Sequence, residues 1–427
     1  MNNSCVAMYV PYLDPSFGSG GIVSPPFENI PDSSLVYTVG TLSKEQLLLF
    51  CVGGVVIKLD ESGNPDQTFG DRGFVRVPAS RVGSFTPDWL SVFEDDSWLV
   101  TGIQNMEEIC FARQLSDGSP DPSFGIESDG QVKINIFDYI DRNAYPDARF
   151  FTGCSTNDSE GGGVNFSGGG GSISCNNDGK ILISFTVKLG AENFKTLLIC
   201  MKKDGFLDEG FAGNGLMLVE PQGFSYNFGQ GATFQKDGKI LAFIESGDSV
   251  HVVRYHADGR LDFDYGGKQT GVASIKGPGS FANAIKLVLK SDGGVVGFGQ
   301  GMSNAPHLLI FSLDCDGIPD PAFNNGQPLY PEFPGYLIST ARGLSILDDG
   351  RIVVGAQVRG GEDYVNLIAR FQRDGALDKT FGATGYVVLD GLPTSSTYSS
   401  LATMKDGRVV YVCTNMGVPS KLVRFLR

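Results

Sequence analysis

Seven times the chain repeats one short phrase: an Asp, two variable residues, an aromatic and usually a Gly. The copies are LDPSFG (13–18), PDQTFG (65–70), PDPSFG (120–125), LDEGFA (207–212), LDFDYG (261–266), PDPAFN (319–324) and LDKTFG (377–382). A phrase that returns at a near-constant period marks one supersecondary unit copied along the chain. Such units must stack on one another to bury their apolar faces. Measured between successive aromatics (Phe17, Phe69, Phe124, Phe211, Tyr265, Phe323, Phe381), the steps are 52, 55, 87, 54, 58 and 58 residues. The third step carries about thirty extra residues, the size of a long loop inserted into one unit.

Each unit resolves into four short apolar runs separated by turn chemistry. The first run ends in an Asp-Gly turn, as in SISCNNDG (172–179), ATFQKDG (232–238), GLSILDDG (343–350) and LATMKDG (401–407). The second follows at once: KILISF, KILAFI, RIVVGA and RVVYVC. Two β-prone runs joined this way form a hairpin, because Gly accepts the positive φ of the turn. The third run carries a basic residue, as in VVIKLD (55–60) and VVRYHA (252–257), and closes in another turn before the phrase. A fourth run follows it, as in GFVRV (73–77) and GYVVL (385–389). Four short antiparallel strands per unit and seven units predict an all-β chain folded as one seven-bladed β-propeller over residues 1–427, WD40-like in outline.

The chain enters on the phrase and a fourth-type run, GIVS (21–24), and leaves on a third-type run, LVRFLR (422–427). The seventh unit therefore lacks its fourth strand, and the N-terminal strand is expected to complete that last blade. Such a closure hides edges that an open ring would expose.

The DGxLDxSFGxxG phrase, with a DG-K-I-L phrase downstream, resembles the delta-60 repeat, found mainly in bacterial proteins and described as propeller-forming. The resemblance spans nearly the whole chain. Its departures are local: Ser43-Lys44-Glu45 replaces the Asp-Gly turn in the first unit, and Asp95-Asp96-Ser97 replaces it in the second. It implies a bacterial origin and a fold, but no reaction.

Composition narrows the function classes. A net charge of −15 opposes nucleic-acid binding, which needs a basic footprint, and makes anionic membranes poor partners. The first residues, MNNSCVAMYVPYLDPSFG, have neither a basic segment nor a long apolar one, so no signal peptide is expected. No apolar run is long enough for membrane insertion. The eight cysteines show no CxxC pair, and several lie inside apolar runs where free thiols act as small hydrophobes. The cytoplasm is the default compartment, with leaderless secretion left open.

The seven aspartates (Asp14, Asp66, Asp121, Asp208, Asp262, Asp320, Asp378) read as Asx-turn acceptors rather than metal ligands. One carboxylate per phrase does not supply the six or more oxygens of a calcium site, so no metal is expected. The aromatics read as plugs between adjacent blades. Lys58, Arg113, Arg254, Arg370 and Arg424 recur at one position of the third run, with Cys200 and Ser312 as exceptions. These cations are expected to pair with the repeat carboxylates or to lie over an aromatic ring. His251 and His256 cannot jointly grip one metal, since five residues along a strand place them on opposite faces. The Gly-rich run 161–171 lacks the Lys-Ser/Thr and helix of a phosphate loop, and no cofactor is implied.

The long step remains. Residues 135–171 form a loop insertion whose first half is rich in aromatics and charge and whose second half is Gly-rich. Function in a repeat scaffold tends to sit where one unit departs from the rest. Tyr139, Asp141, Arg142, Tyr145, Asp147 and Arg149 are the candidate ligand-binding residues, of a composition suited to stacking a sugar or contacting a protein. The alternative role for the segment is an ordered lid over one end of the channel. The sequence favours a non-enzymatic binding module that presents loops to a protein or carbohydrate ligand, as a lectin does. Its rival is a hydrolase or lyase with acidic residues at the central channel.

Overall fold

The computed structural model describes residues 12–77, 84–151, 172–277, 281–302, 305–394 and 399–427. Its strands form seven separate antiparallel sheets, one per repeat, six of them meanders in chain order and the last completed by the first strand of the chain. The first strand of every blade lies against the first strand of the next, through all seven neighbours and back to the start, so the ring is closed.

Burial follows from this arrangement. Second and third strands are covered on both faces by adjacent blades and are buried along most of their length. Leu47–Cys51 (LLLFC) is buried at every position, and Ile181–Lys188 (ILISFTVK) at all but its last. Outer strands face solvent on one side and alternate, as in Val272–Lys276. Seven apolar clusters result, each filling the seam between two neighbouring blades. Cys51, Cys110, Cys200 and Cys413 are free thiols inside these seams.

Closure occurs where expected. Ile22–Val23 pairs with the last strand through Ile22↔Val423 and Val23↔Leu422, and Leu13 bridges Phe425. The seventh blade is thus built from both ends of the chain.

Two blades depart from the common plan. The outer strand of the fifth is reduced to one rung, in which Leu329 and Ile310 exchange both backbone hydrogen bonds. Pro328 and Pro331 flank that rung and cannot donate to a longer ladder. In the third blade the inner strand comes in two pieces, Arg149–Phe150 and Ser172–Cys175, both paired with Ile181–Lys188. The expected single loop of residues 135–171 is therefore two features. Residues 135–148 connect blade two to blade three, and residues 152–171, which include the Gly-rich run, interrupt an inner strand and lie outside the described residues.

Candidate functional site

The conspicuous residues of the repeat are spent on the scaffold. Each of the seven aspartates uses one carboxylate oxygen locally and the other on a cation. Oδ1 accepts from the backbone N–H two residues on, as at Asp14 (Ser16, 3.0 Å), Asp262 (Asp264, 3.2 Å) and Asp320 (Ala322, 3.0 Å). Where that residue is Ser or Thr its hydroxyl donates to the same oxygen, as Thr380 does to Asp378 at 2.7 Å. Oδ2 faces the third-strand cation: Lys58–Asp66 at 3.3 Å, Arg113–Asp121 at 3.2 Å, Arg254–Asp262 at 2.8 Å, Arg370–Asp378 at 2.7 Å and Arg424–Asp14 at 2.8 Å.

The same cations lie over the phrase aromatic. The guanidinium carbon is 4.3 Å from the Phe17 ring centre for Arg424, 4.6 Å from Tyr265 for Arg254 and 4.8 Å from Phe381 for Arg370. Pairing and ring contact occur together.

Where the third strand lacks a cation, another run supplies it. Lys180 reaches Asp208 at 2.5 Å beside Cys200, and Lys290 reaches Asp320 at 2.7 Å beside Ser312. Lys290 stands across the turn from the usual second-strand position, which is Gly294 in this blade. A Cβ on Gly294 would meet Lys290 Cε at 2.6 Å, so the missing side chain makes room for the displaced one.

Six of the seven phrases also couple to the following blade through the backbone N–H at their last position. Gly70 N–H donates to Asp117 O, Gly125 N–H to Asp204 O and Gly266 N–H to Asp316 O. All seven phrase aromatics are buried. The phrases and Asp-Gly turns occupy one face of the ring, where two open depressions occur. One, of about 510 Å³, is lined by His256, Arg260, Leu261, Asp262, Phe263 and Asp264. The other, of about 320 Å³, includes Arg351, Asp378 and Thr380. Their central carboxylates are those already committed to cations.

The histidines are held apart. His251 is buried near the opposite end of its strand, with Nδ1 2.9 Å from Ser274 Oγ and Nε2 3.3 Å from Ser246 O. Burial pushes its pKa down. His256 lies beyond the strand on the phrase face, 3.9 Å from Asp262. Among the described residues no group of three or more His, Cys, Asp or Glu is placed to hold a metal.

The connector of residues 135–148 lies on the other face, where the second and third strands of each blade turn into one another. Asn135 starts it, its side chain accepting from Phe137 N–H at the head of the 3-10 turn Ile136–Asp138. Ile136 N–H donates to Glu107 O and Phe150 N–H to Met106 O, which ties the segment to the hairpin turn of blade two. Ile136, Ile140, Ala148 and Phe150 enter the apolar seam between blades two and three. This half is an ordered lid on that seam.

The six candidate residues divide on it. Arg142 is exposed, and its guanidinium lies 3.4 Å from the Phe137 ring centre and 3.1 Å from Glu107. Arg149 belongs to the inner strand, opposite Lys188. Tyr139 is half-buried against the seam, and burial together with Asp138 pushes its pKa up. Asp141, Tyr145 and Asp147 remain exposed, held by a turn in which Asp141 O accepts from Ala144 and Tyr145 N–H.

On the same face stands a feature that sequence reading missed. Phe151, Phe194, Phe228 and Tyr226 form one aromatic cluster, with ring centres 5.1 Å apart for Phe151–Phe194, 4.9 Å for Phe194–Phe228 and 5.9 Å for Tyr226–Phe228. Phe228 is buried, while Phe151, Phe194 and Tyr226 are half-buried at the surface. Lys188 Nζ lies 5.6 Å from the Phe194 ring centre. The four rings come from three separated segments, so no local pattern announces them.

Comparison with known proteins gives architecture. A family model described as "Domain of unknown function (DUF5122) beta-propeller" matches residues 347–381, which run from the first turn of blade six to its phrase aromatic. No curated protein matches the sequence. Among solved structures, prolyl oligopeptidase B from Galerina marginata bound to a 35mer substrate is 12% identical, with a TM-score of 0.49 over 92% of this chain and 49% of that one. A structure from a study of two prolyl endopeptidases is 13% identical, with a TM-score of 0.48 over 92% of this chain and 48% of that one. The chain spans about half the length of these enzymes. With seven sheets in a closed ring and a propeller family model matched within one of them, the chain is a β-propeller repeat protein.

Proposed function

We propose that this protein is a non-enzymatic recognition module that binds a protein or glycan ligand on its hairpin face, over blades two to four. The observation that carries this reading is the aromatic surface of Phe151, Phe194 and Tyr226. It shares the hairpin face with exposed Asp141, Tyr145 and Asp147, and Phe151 follows Asp147 four residues further along the chain. Aromatic rings with one accessible side supply large contact area at low entropy cost, and flanking carboxylates and phenols supply orientation.

The test compares wild type with the triple variant Asp141→Ala, Tyr145→Ala, Asp147→Ala on a glycan array and in pulldowns from the source cell extract. The three side chains are exposed, and because Asp141 Oδ1 accepts from Asn143 N–H at 2.8 Å, a melting curve of the variant is the control that the lid stays folded. Loss of the captured ligand supports the reading. Retention of every ligand by this variant and by Phe194→Ala contradicts it.

A further inference from the structure

The first strand of blade six, Leu337–Ile346, carries a half-buried arginine, two of its guanidinium nitrogens enclosed, that the scaffold does not use. Arg342 sits on a β-bulge, between the pairs Ala341↔Ala356 and Gly343↔Gly355. The same register shift recurs on the inner strands of three other blades, at Tyr37, Gln230 and Ile285. A bulge re-aims a side chain without ending the strand, and here it does so at one level of the ring around the channel. Blade six places an arginine at that level.

Its surroundings do not neutralise it. Arg342 Nε and Nη2 are both buried without a hydrogen-bond partner, whereas Nη1 is not closed off in this way. The deeply buried arginines each face a repeat carboxylate: Arg254 faces Asp262, Arg370 faces Asp378 and Arg424 faces Asp14. Among the described residues Arg342 is the arginine with buried donors and no carboxylate within ion-pair distance. Burial lowers its pKa, and the Tyr411 phenol of blade seven is the titratable neighbour that opposes this. A buried ionised group without a partner is costly, and native proteins keep such groups where an ion or ligand completes them.

We propose that Arg342 is the anchor of an oxyanion-binding site on the channel wall at the root of the seam between blades six and seven, a carboxylate group being the favoured ligand. The planar guanidinium presents a fork of donors that matches a planar carboxylate, and Nη1 gives the approach. The site is separate from the aromatic surface of blades three and four, and does not depend on the recognition reading given above.

The experiment is a thermal-melting titration of the whole chain with sodium acetate and, in parallel, sodium phosphate, at constant ionic strength maintained with sodium chloride. Wild type is expected to gain stability along a saturating curve, as a ligand bound only to the folded state requires. In Arg342→Gln the half-saturating concentration is expected to rise at least tenfold, and the untitrated variant is expected to melt no lower than wild type. Saturation with acetate at lower concentration than with phosphate supports the carboxylate assignment, and the reverse order overturns that part. Equal responses in wild type and Arg342→Gln, or a linear response in wild type, overturn the site. Should Arg342→Gln fail to fold, Arg342→Lys, which keeps the charge and loses the fork, replaces it with the same expected weakening.

Discussion

Arg424 Nε donates to Asp14 Oδ2 at 2.8 Å, joining residues 410 positions apart. Arg408 Nη1 reaches the same oxygen at 2.7 Å, and Arg424 Nη1 continues to Glu61 O in blade one. The repeat's ordinary ion pair thus becomes, at this seam, the polar latch of the ring. Arg424 is fully buried there and the Asp14 side chain is 6% exposed, against 16% for each partner of Lys58–Asp66. Removing one partner of a buried pair strands the other, at a cost of about 3–5 kcal/mol, whereas a more exposed pair is worth ~1 kcal/mol or less. Asp14→Ala should therefore lower the melting temperature much more than Asp66→Ala, as calorimetry will show.

The phrase aromatic is predicted to be a seam residue, not a ligand contact. Phe211→Ala should cost about 3–5 kcal/mol, the range for emptying a buried aromatic site. Gly205→Ala tests the same packing from the other side of a seam. Its φ is +86°, and a Cβ there would meet Val132 Cγ2 at 2.7 Å and Phe124 Cε2 at 2.9 Å. Denaturant unfolding should show both variants destabilised, with ligand binding per folded molecule unchanged.

Protonation of the repeat carboxylates should lower stability once pH falls below about 4. Burial works against ionisation of Asp14, but the Ser16 hydroxyl, Arg408 and Arg424 outweigh it and hold its pKa at about 2, below the ordinary 3.8. Asp378 is also buried, and Thr380, Arg351 and Arg370 hold it at about 2. In this window the unfolded chain binds more protons than the folded one, so stability declines as pH falls from 3.8 toward about 2. Melting curves collected across that range should show the decline, and Asp378→Asn should start less stable and lose less of its remaining stability.

Glu45 has the opposite sign. It replaces the turn glycine of blade one and adopts φ +57°, a conformation that costs a non-Gly residue ~1 kcal/mol or more. Burial and the nearby Asp406 carboxylate raise its pKa above the ordinary 4.5. Because the folded value is the higher one, ionisation weakens the fold as pH rises through that region. Glu45→Gly should raise the melting temperature at pH 7, and the gain should shrink when the same pair is compared near pH 4.

Architecture was legible because it is written seven times. The Asp–aromatic phrase counted the blades, and the run order at the two ends located the closing strand now seen at Ile22–Val23. The pairing of Arg254 with Asp262 was legible for the same reason, since both recur at a fixed separation. The site was not, because its parts do not repeat. Phe151 and Phe194 meet through the strand pairing of blade three, and Phe228 joins them only through the docking of blade four. Composition alone could not tell Arg142, which is tied to Glu107, from exposed Asp147. The Arg342 bulge is likewise a matter of strand register, which the residue pattern of a single run does not carry.

The central claim is that recognition belongs to the hairpin face and not to the phrase face. Affinity for the ligand captured by wild type, measured by calorimetric titration, tests it most directly when two surface variants are compared. One is the triple Asp141→Ala, Tyr145→Ala, Asp147→Ala; the other is Arg260→Ala with Phe263→Ala, both exposed on the phrase face. Binding by the first should be at least tenfold weaker, and binding by the second should be unchanged. Unchanged binding by the first with loss in the second would contradict the claim.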